Sequence, residues 1–168
     1  MIRSFCLLPF AFCLTIRYWL PVAVWMGMIY YFSTDTFSGD NTGGLIEQIF
    51  DRLLPGASPQ TIATINYLTR KSAHFIAYAL LAGLLFRAFR AGSAVRWRIG
   101  WALYSLAAAA CWALLDEYHQ TRTQTRGGSI YDSLLDISGG IFALIVIAFF
   151  SRRSGRNKSD DMQRDRTF

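Results

Sequence analysis

Four long apolar stretches constrain this 168-residue chain more than any other feature of its sequence. They cover residues 15–33, 72–89, 99–115 and 132–150. The hydrocarbon core of a bilayer takes about 17 to 25 apolar residues of α-helix, and a helix pairs its own backbone polar groups where no water is present. The sequence therefore predicts an all-α polytopic membrane protein, with a four-helix transmembrane bundle that occupies residues 1–150.

The distribution of basic residues predicts how this bundle is oriented. If the four spans alternate in direction, twelve of the 17 Lys and Arg residues fall on one side, in the N-terminal segment, the connection over 87–98 and the tail. Basic residues are retained on the cytoplasmic side, so we expect both termini in the cytoplasm, with residues 34–71 and 116–131 outside the membrane. This pattern explains the net charge of +6 without a nucleic-acid partner. Residues 151–168 are expected to form a disordered basic tail.

The segments that flank the first two spans carry helical signals of their own. Apolar residues recur at helical spacing over 45–54 and stop at Pro55-Gly56, which predicts an outer amphipathic segment between helices one and two. Ser58-Pro59 is typical of an N-cap followed by a first-turn proline, so the second helix is expected to begin well before the bilayer. Arg17 belongs at the inner boundary, and residues 5–16 either lie in the interface or extend helix one.

Polar and ionisable residues gather where helices two, three and four meet the outer boundary. Arg70, Lys71 and His74 open helix two, Asp116, Glu117 and Gln120 close helix three, Arg126 lies in the following loop, and Asp132 and Asp136 open helix four. The topology places all of them at one membrane depth. Lys71, His74 and Tyr78 share a helix face. Gly139, Gly140 and Ala143 predict a close helix contact just below.

Two interpretations of this cluster stay open at the level of sequence. Ionisable residues at the edge of a membrane bundle are costly, which indicates a binding site, with Arg70, Lys71 and Arg126 gripping an anionic head group. Asp132 and Asp136 would position these cations, and Gln120 would complete the hydrogen bonds. The nearly balanced charges equally fit a satisfied network that holds short helices together.

Other chemistry is available to the same residues. If the protein is an enzyme, His74 or Glu117 would act as general acid or base, together with Asp116. A metal site could be drawn from His74, Glu117, His119 and Asp132, but no pair has a recurrent ligand spacing, so we expect neither metal nor cofactor. Charges do not continue down the helices as a transport pathway requires, whereas a non-catalytic role beside a membrane-protein partner is compatible with the sequence.

The sequence resembles the VanZ-like family of small membrane proteins, which is named after an accessory protein of glycopeptide resistance. The resemblance rests on three blocks, which are Tyr31-Phe32-Ser33, then Arg70-Lys71-Ser72-Ala73-His74-Phe75 with Tyr78, and finally Asp116-Glu117-x-His119-Gln120 with Arg126, Asp132, Asp136 and Gly139. It covers residues 18–150. The chain departs from the family at Ala77, where an acidic residue often precedes the tyrosine.

The resemblance implies a function at the outer face of the membrane. The founding member is linked to resistance to teicoplanin, a glycopeptide that carries a fatty-acyl tail. A polar cluster at the outer leaflet suits such a molecule, and it equally suits a phospholipid or a lipid-linked precursor of the cell wall. We therefore expect an envelope protein that binds an amphiphile with an anionic head group, and as alternatives an enzyme acting on such a lipid or a non-catalytic assembly partner.

Overall fold

The computed structural model describes residues 7–34, 52, 56–121 and 130–164, with side chains described over 15–34, 52, 56–121 and 130–153. It contains four helices in this part of the chain, which are α1 (Leu7–Phe32), α2 (Pro59–Arg90), α3 (Ile99–Gln120) and α4 (Ile130–Arg164). All regular secondary structure in the described ranges is helical, which confirms the all-α prediction. The predicted amphipathic segment over 45–54 and Arg126 lie outside the described residues.

The start of α2 confirms the capping signal in the sequence. The Ser58 hydroxyl accepts a hydrogen bond from the Thr61 backbone N–H at 3.2 Å, and Pro59 occupies the first helical position. The helix ends at Ala91, which adopts a left-handed conformation with φ 45° and donates its N–H to the carbonyls of Arg87 and Ala88. At its other end, α2 begins at Pro59, well before residue 72, where the apolar span was predicted to begin.

Two helix ends differ from the simplest expectation. α1 begins at Leu7, so the segment before Arg17 extends the first helix. α4 continues to Arg164, whereas we expected disorder from residue 151 onward. No proline follows residue 151 to end the helix, and a polar helix can continue into water with its backbone bonds intact.

By length and composition, three helices in the described ranges are able to cross a bilayer, namely α2, α3 and the part of α4 over Ile130–Arg153. Their exposed surfaces carry large apolar side chains such as Leu80, Leu103 and Phe142. This supports a helical membrane protein. α1 is not one of these three helices. The described part of α1 carries one charged residue, Arg17.

α2 lies at the centre of the bundle, packs against each of the other helices and makes its most extensive contact with α4. The closest approach occurs at Gly139, where a Cβ atom would lie only 2.3 Å from the Phe75 carbonyl oxygen. At the adjacent Gly140, a Cβ would lie 3.5 Å from the Ala82 Cβ, which is an ordinary contact. The predicted close helix contact is thus confirmed, and it depends on the missing side chain of Gly139.

Candidate functional site

Buried polar side chains are concentrated at one end of the bundle, where α1 and α3 end and α2 and α4 begin. We call this the polar end, and its members are Ser33, Arg70, Lys71, His74, Asp116, Glu117, Gln120, Asp132, Ser133 and Asp136. Six of them are at most 7% exposed, which are Ser33, Asp116, Glu117, Gln120, Ser133 and Asp136. Burial of so many polar groups is costly unless they bind one another or a ligand.

An ion pair and a histidine–carboxylate contact join α2 to α4 at the polar end. The Lys71 ammonium donates to Asp132 Oδ1, and one turn deeper His74 Nδ1 lies 3.4 Å from Asp136 Oδ1. The two helices run in parallel, so residues three apart on α2 meet residues four apart on α4. The Asp136 side chain is 1% exposed, so its carboxyl group is separated from water and faces His74.

A second network joins α1 to α3. The Ser33 hydroxyl donates to Asp116 Oδ2 at 2.7 Å, while Gln120 Nε2 donates to Ser33 Oγ at 2.9 Å and to Asp116 Oδ2 at 3.1 Å. All three residues are buried. The sequence analysis treated Ser33 only as the exit of helix one. The available signal was a small polar residue directly after an apolar helix.

A compact cavity of about 130 Å³ lies between α2, α3 and α4. Its polar lining consists of Tyr67, Arg70, Lys71, His74, Gln120, Asp132 and Asp136. The structure therefore places five of the six residues that we predicted for ligand binding around one cavity, and the sixth, Arg126, lies outside the described residues. Its small volume and mainly polar lining residues suit a small polar head group better than an acyl chain.

Arg70 differs from the other cations of this cavity. Lys71 and His74 each face a carboxylate of α4, whereas Arg70 forms no ion pair with any residue that the structure describes. Its guanidinium therefore has no ion-pair contact with Asp132 or Asp136, although all three side chains line the cavity. A planar guanidinium fork binds carboxylate or phosphate oxygens in pairs, so an anionic group in the cavity would meet a suitable partner.

A larger and mostly apolar cavity of about 370 Å³ lies beside the first, between α1 and α3. It is lined by Tyr30, Trp112, Leu115, Asp116, Tyr118 and His119. The Tyr30 hydroxyl lies 3.2 Å from His119 Nε2. Asp116 lines this larger cavity, and Gln120 lines the smaller one. The hydrogen bond between these two residues therefore lies between the two cavities.

The three predicted catalytic residues do not surround a single cavity. His74 lines the small cavity, Asp116 lines the large one, and Glu117 is buried among the described residues without lining either. The carboxylate beside His74 is that of Asp136. Sequence spacing could not reveal this choice, because it depends on which turns of α2 and α4 face each other.

The four residues considered for a metal site are likewise separated. His74 and His119 line different cavities, and within the described residues no three His, Cys, Asp or Glu side chains lie close enough to hold a metal ion. At the polar end, the sequence analysis missed Ser133, which is 1% exposed. Its position three residues before Asp136 on the same helix face was the signal.

Comparison with known proteins agrees with this architecture. A family model described as VanZ/LLP1 matches residues 18–151, which include α2, α3 and every residue of the polar end. Searches of curated proteins and of solved structures gave no match. The chain is a helical membrane protein, and it belongs to the VanZ/LLP1 family.

Proposed function

We propose that this protein binds an amphiphile with an anionic head group at the outer face of the bacterial cytoplasmic membrane. The observation that carries the proposal is the compact polar cavity in which Arg70 has no carboxylate partner among the described residues, while Lys71 and His74 do. A phosphate or carboxylate would compensate this guanidinium. Lys71 and Gln120 line the same cavity and would add hydrogen bonds.

The adjoining cavities suit the two parts of such a molecule. The small cavity accommodates a head group, and the larger apolar cavity beside Trp112 and Leu115 offers a surface for a hydrocarbon chain. A lipid-linked cell-wall precursor, a phospholipid and a lipoglycopeptide all have this chemistry. Membership of the VanZ/LLP1 family supports a role of this kind in the cell envelope, and we extend it to glycopeptide resistance of the teicoplanin type.

The orientation is part of the same proposal. α1 serves as a fourth span, with Arg17 at the inner boundary, and the polar end faces outward with both termini in the cytoplasm. The excess of Lys and Arg at the opposite end supports this arrangement. A cysteine introduced beside Arg52 or at Thr121 would then react with a membrane-impermeant thiol reagent in intact cells, and one introduced at the exposed Ala94 would not.

Mass spectrometry of lipids that copurify with the protein tests the binding proposal. We expect one anionic species to be enriched with the wild type relative to the bulk membrane, and to be lost with Arg70→Gln. Arg52→Gln is the matched control, because Arg52 is an exposed arginine that does not line the cavity. Equal lipid content in wild type, Arg70→Gln and Arg126→Ala would refute the assignment.

The contact between His74 and Asp136 favours one second candidate, an enzyme that modifies an envelope lipid. A buried carboxyl group beside an imidazole orients the ring, and an oriented imidazole suits general acid–base catalysis. Envelope lipids from cells with wild type, His74→Gln or Glu117→Gln at equal membrane levels separate the two candidates. A species that changes with the wild type alone indicates turnover, whereas identical profiles with intact copurification of a lipid indicate binding only.

A further inference from the structure

The end of the bundle opposite the polar end contains a cavity of about 390 Å³ with a different composition. It lies between α1, α2, the α2–α3 connection and α4, and its polar lining consists of Tyr18, Arg87, Arg90, Arg96 and Ser151. We call this the arginine cavity. It shares no residue with the two cavities of the polar end.

Among the side chains that the structure describes, the charge around this cavity has one sign. The described side chains over 15–20, 83–101 and 141–153 include seven arginines and no Asp or Glu. At the polar end, by contrast, Lys71 and His74 each face a carboxylate. Neither Arg87 nor Arg90 forms an ion pair with a described residue, and cations that lie close together repel one another unless an anion joins them.

Orientation in the membrane explains only part of this pattern. Retention of basic residues on the cytoplasmic side makes use of Lys and Arg alike, and 15 of the 17 basic residues of the chain are Arg, so the residue type alone does not indicate a site. Retention also does not require the side chains to line one cavity. Arginine differs from lysine in its planar fork, which binds two oxygens of a phosphate at once.

Two of the arginines are held in place by the protein itself. The Arg87 guanidinium lies over the Tyr18 ring, 5.0 Å from its centroid, and Arg90 donates its Nε–H to the Ser93 carbonyl at 3.1 Å. The Arg90 bond uses Nε and not the terminal nitrogens. Gly92 has φ 77°, and a Cβ there would lie 2.7 Å from the Tyr18 hydroxyl, so the glycine allows the ring to approach the connection.

We infer that the arginine cavity binds a phosphate group, with the Arg87 and Arg90 forks as its charged ligands and the Tyr18 and Ser151 hydroxyls as neutral donors. The phosphate belongs either to the head group of an anionic lipid in the adjacent leaflet or to a water-soluble phosphate ester. Basic pockets between membrane helices on the cytoplasmic side are the usual sites for anionic lipid head groups. The inference shares the membrane orientation of the function proposed above, but it does not depend on the ligand proposed for the polar end.

The test is thermal unfolding of the purified full-length protein in a neutral detergent, titrated with phosphatidylglycerol, phosphatidylcholine, inorganic phosphate or glycerol phosphate. We expect phosphatidylglycerol to raise the unfolding temperature of the wild type and phosphatidylcholine to leave it unchanged. Apparent affinity should fall about tenfold or more in Arg90→Gln, which corresponds to about 1.4 kcal/mol. An equal response to the soluble phosphates would identify them as the source of the phosphate group and would support the site.

Three variants separate the site from general charge attraction. Arg153→Gln removes an exposed arginine of the same end that does not line the cavity, and it should bind like the wild type. Arg90→Lys keeps the charge without the fork and should bind more weakly. Ser151→Asp places a carboxylate inside the cavity and should abolish the response, which keeps the test decisive if Arg90→Gln does not fold. Equal responses in Arg153→Gln, Ser151→Asp and the wild type would overturn the inference.

Discussion

Replacement of Gly139 by alanine tests the close contact between α4 and α2. This contact lies just below the Lys71–Asp132 and His74–Asp136 pairs. A Cβ at this position would lie 2.3 Å from the Phe75 carbonyl oxygen and 3.1 Å from its carbonyl carbon. Both atoms belong to the backbone of α2, so no side chain can rotate away. The helices would have to separate by roughly 1 Å to restore van der Waals spacing.

The adjacent Gly140 provides the matched control. In Gly140→Ala the new Cβ would lie 3.5 Å from the Ala82 Cβ, which is an ordinary contact. Both substitutions gain the same helix propensity, about 1 kcal/mol, so the difference between them isolates the contact with Phe75. We expect Gly139→Ala to be less stable than Gly140→Ala by about 1 to 3 kcal/mol, the usual cost of overpacking.

The free energy of unfolding can be measured by denaturant titration of the two variants in the same mixed micelles. Because Lys71 meets Asp132 and His74 meets Asp136 just above this contact, Gly139→Ala should also weaken lipid copurification, whereas Gly140→Ala should not. Equal stability of the two variants would refute the reasoning, since it would show that the helices are not held together at Gly139.

Two further predictions concern the polar end. Ser33→Ala should destabilise the protein by about 1 to 3 kcal/mol, because it leaves a buried carboxylate and a buried amide without a shared partner. Ser138→Ala, which removes an exposed hydroxyl, should change the free energy of unfolding by less than about 0.5 kcal/mol, and similar values for both would contradict the buried network. The Lys71 and Asp132 side chains are 24% and 32% exposed, so a double-mutant cycle with Lys71→Gln and Asp132→Asn should give a coupling of at most roughly 1 kcal/mol, reduced by salt. Strictly additive effects would show that the pair contributes no coupling.

The helices follow from local signals that the sequence carries by itself. Apolar runs of bilayer length predict α2, α3 and the apolar part of α4, because a chain in lipid has to pair its backbone groups within each segment. Ser58-Pro59 predicts the start of α2 because capping depends only on neighbouring residues. Gly139 predicts a close approach because no other residue allows it, although the sequence does not name the partner helix.

The grouping of polar residues at one end was also predictable. Successive spans cross the membrane in opposite directions, so the ends of helices one and three and the starts of helices two and four lie on the same side. Arg70, Lys71, Gln120, Asp132 and Asp136 were expected together on this ground, and the structure places them around one cavity. The predicted role of Arg126, which lies outside the described ranges, stays a prediction from the sequence.

Tertiary structure alone decided which polar residues meet. The sequence offered several carboxylates to His74, and the facing turns of α2 and α4 selected Asp136 over Glu117. Ser33 joined Asp116 and Gln120 because α1 and α3 end at the same depth. Helix rotation and register set these pairings, and they arise from packing between segments far apart in the chain, about which spacing along a single helix carries no information.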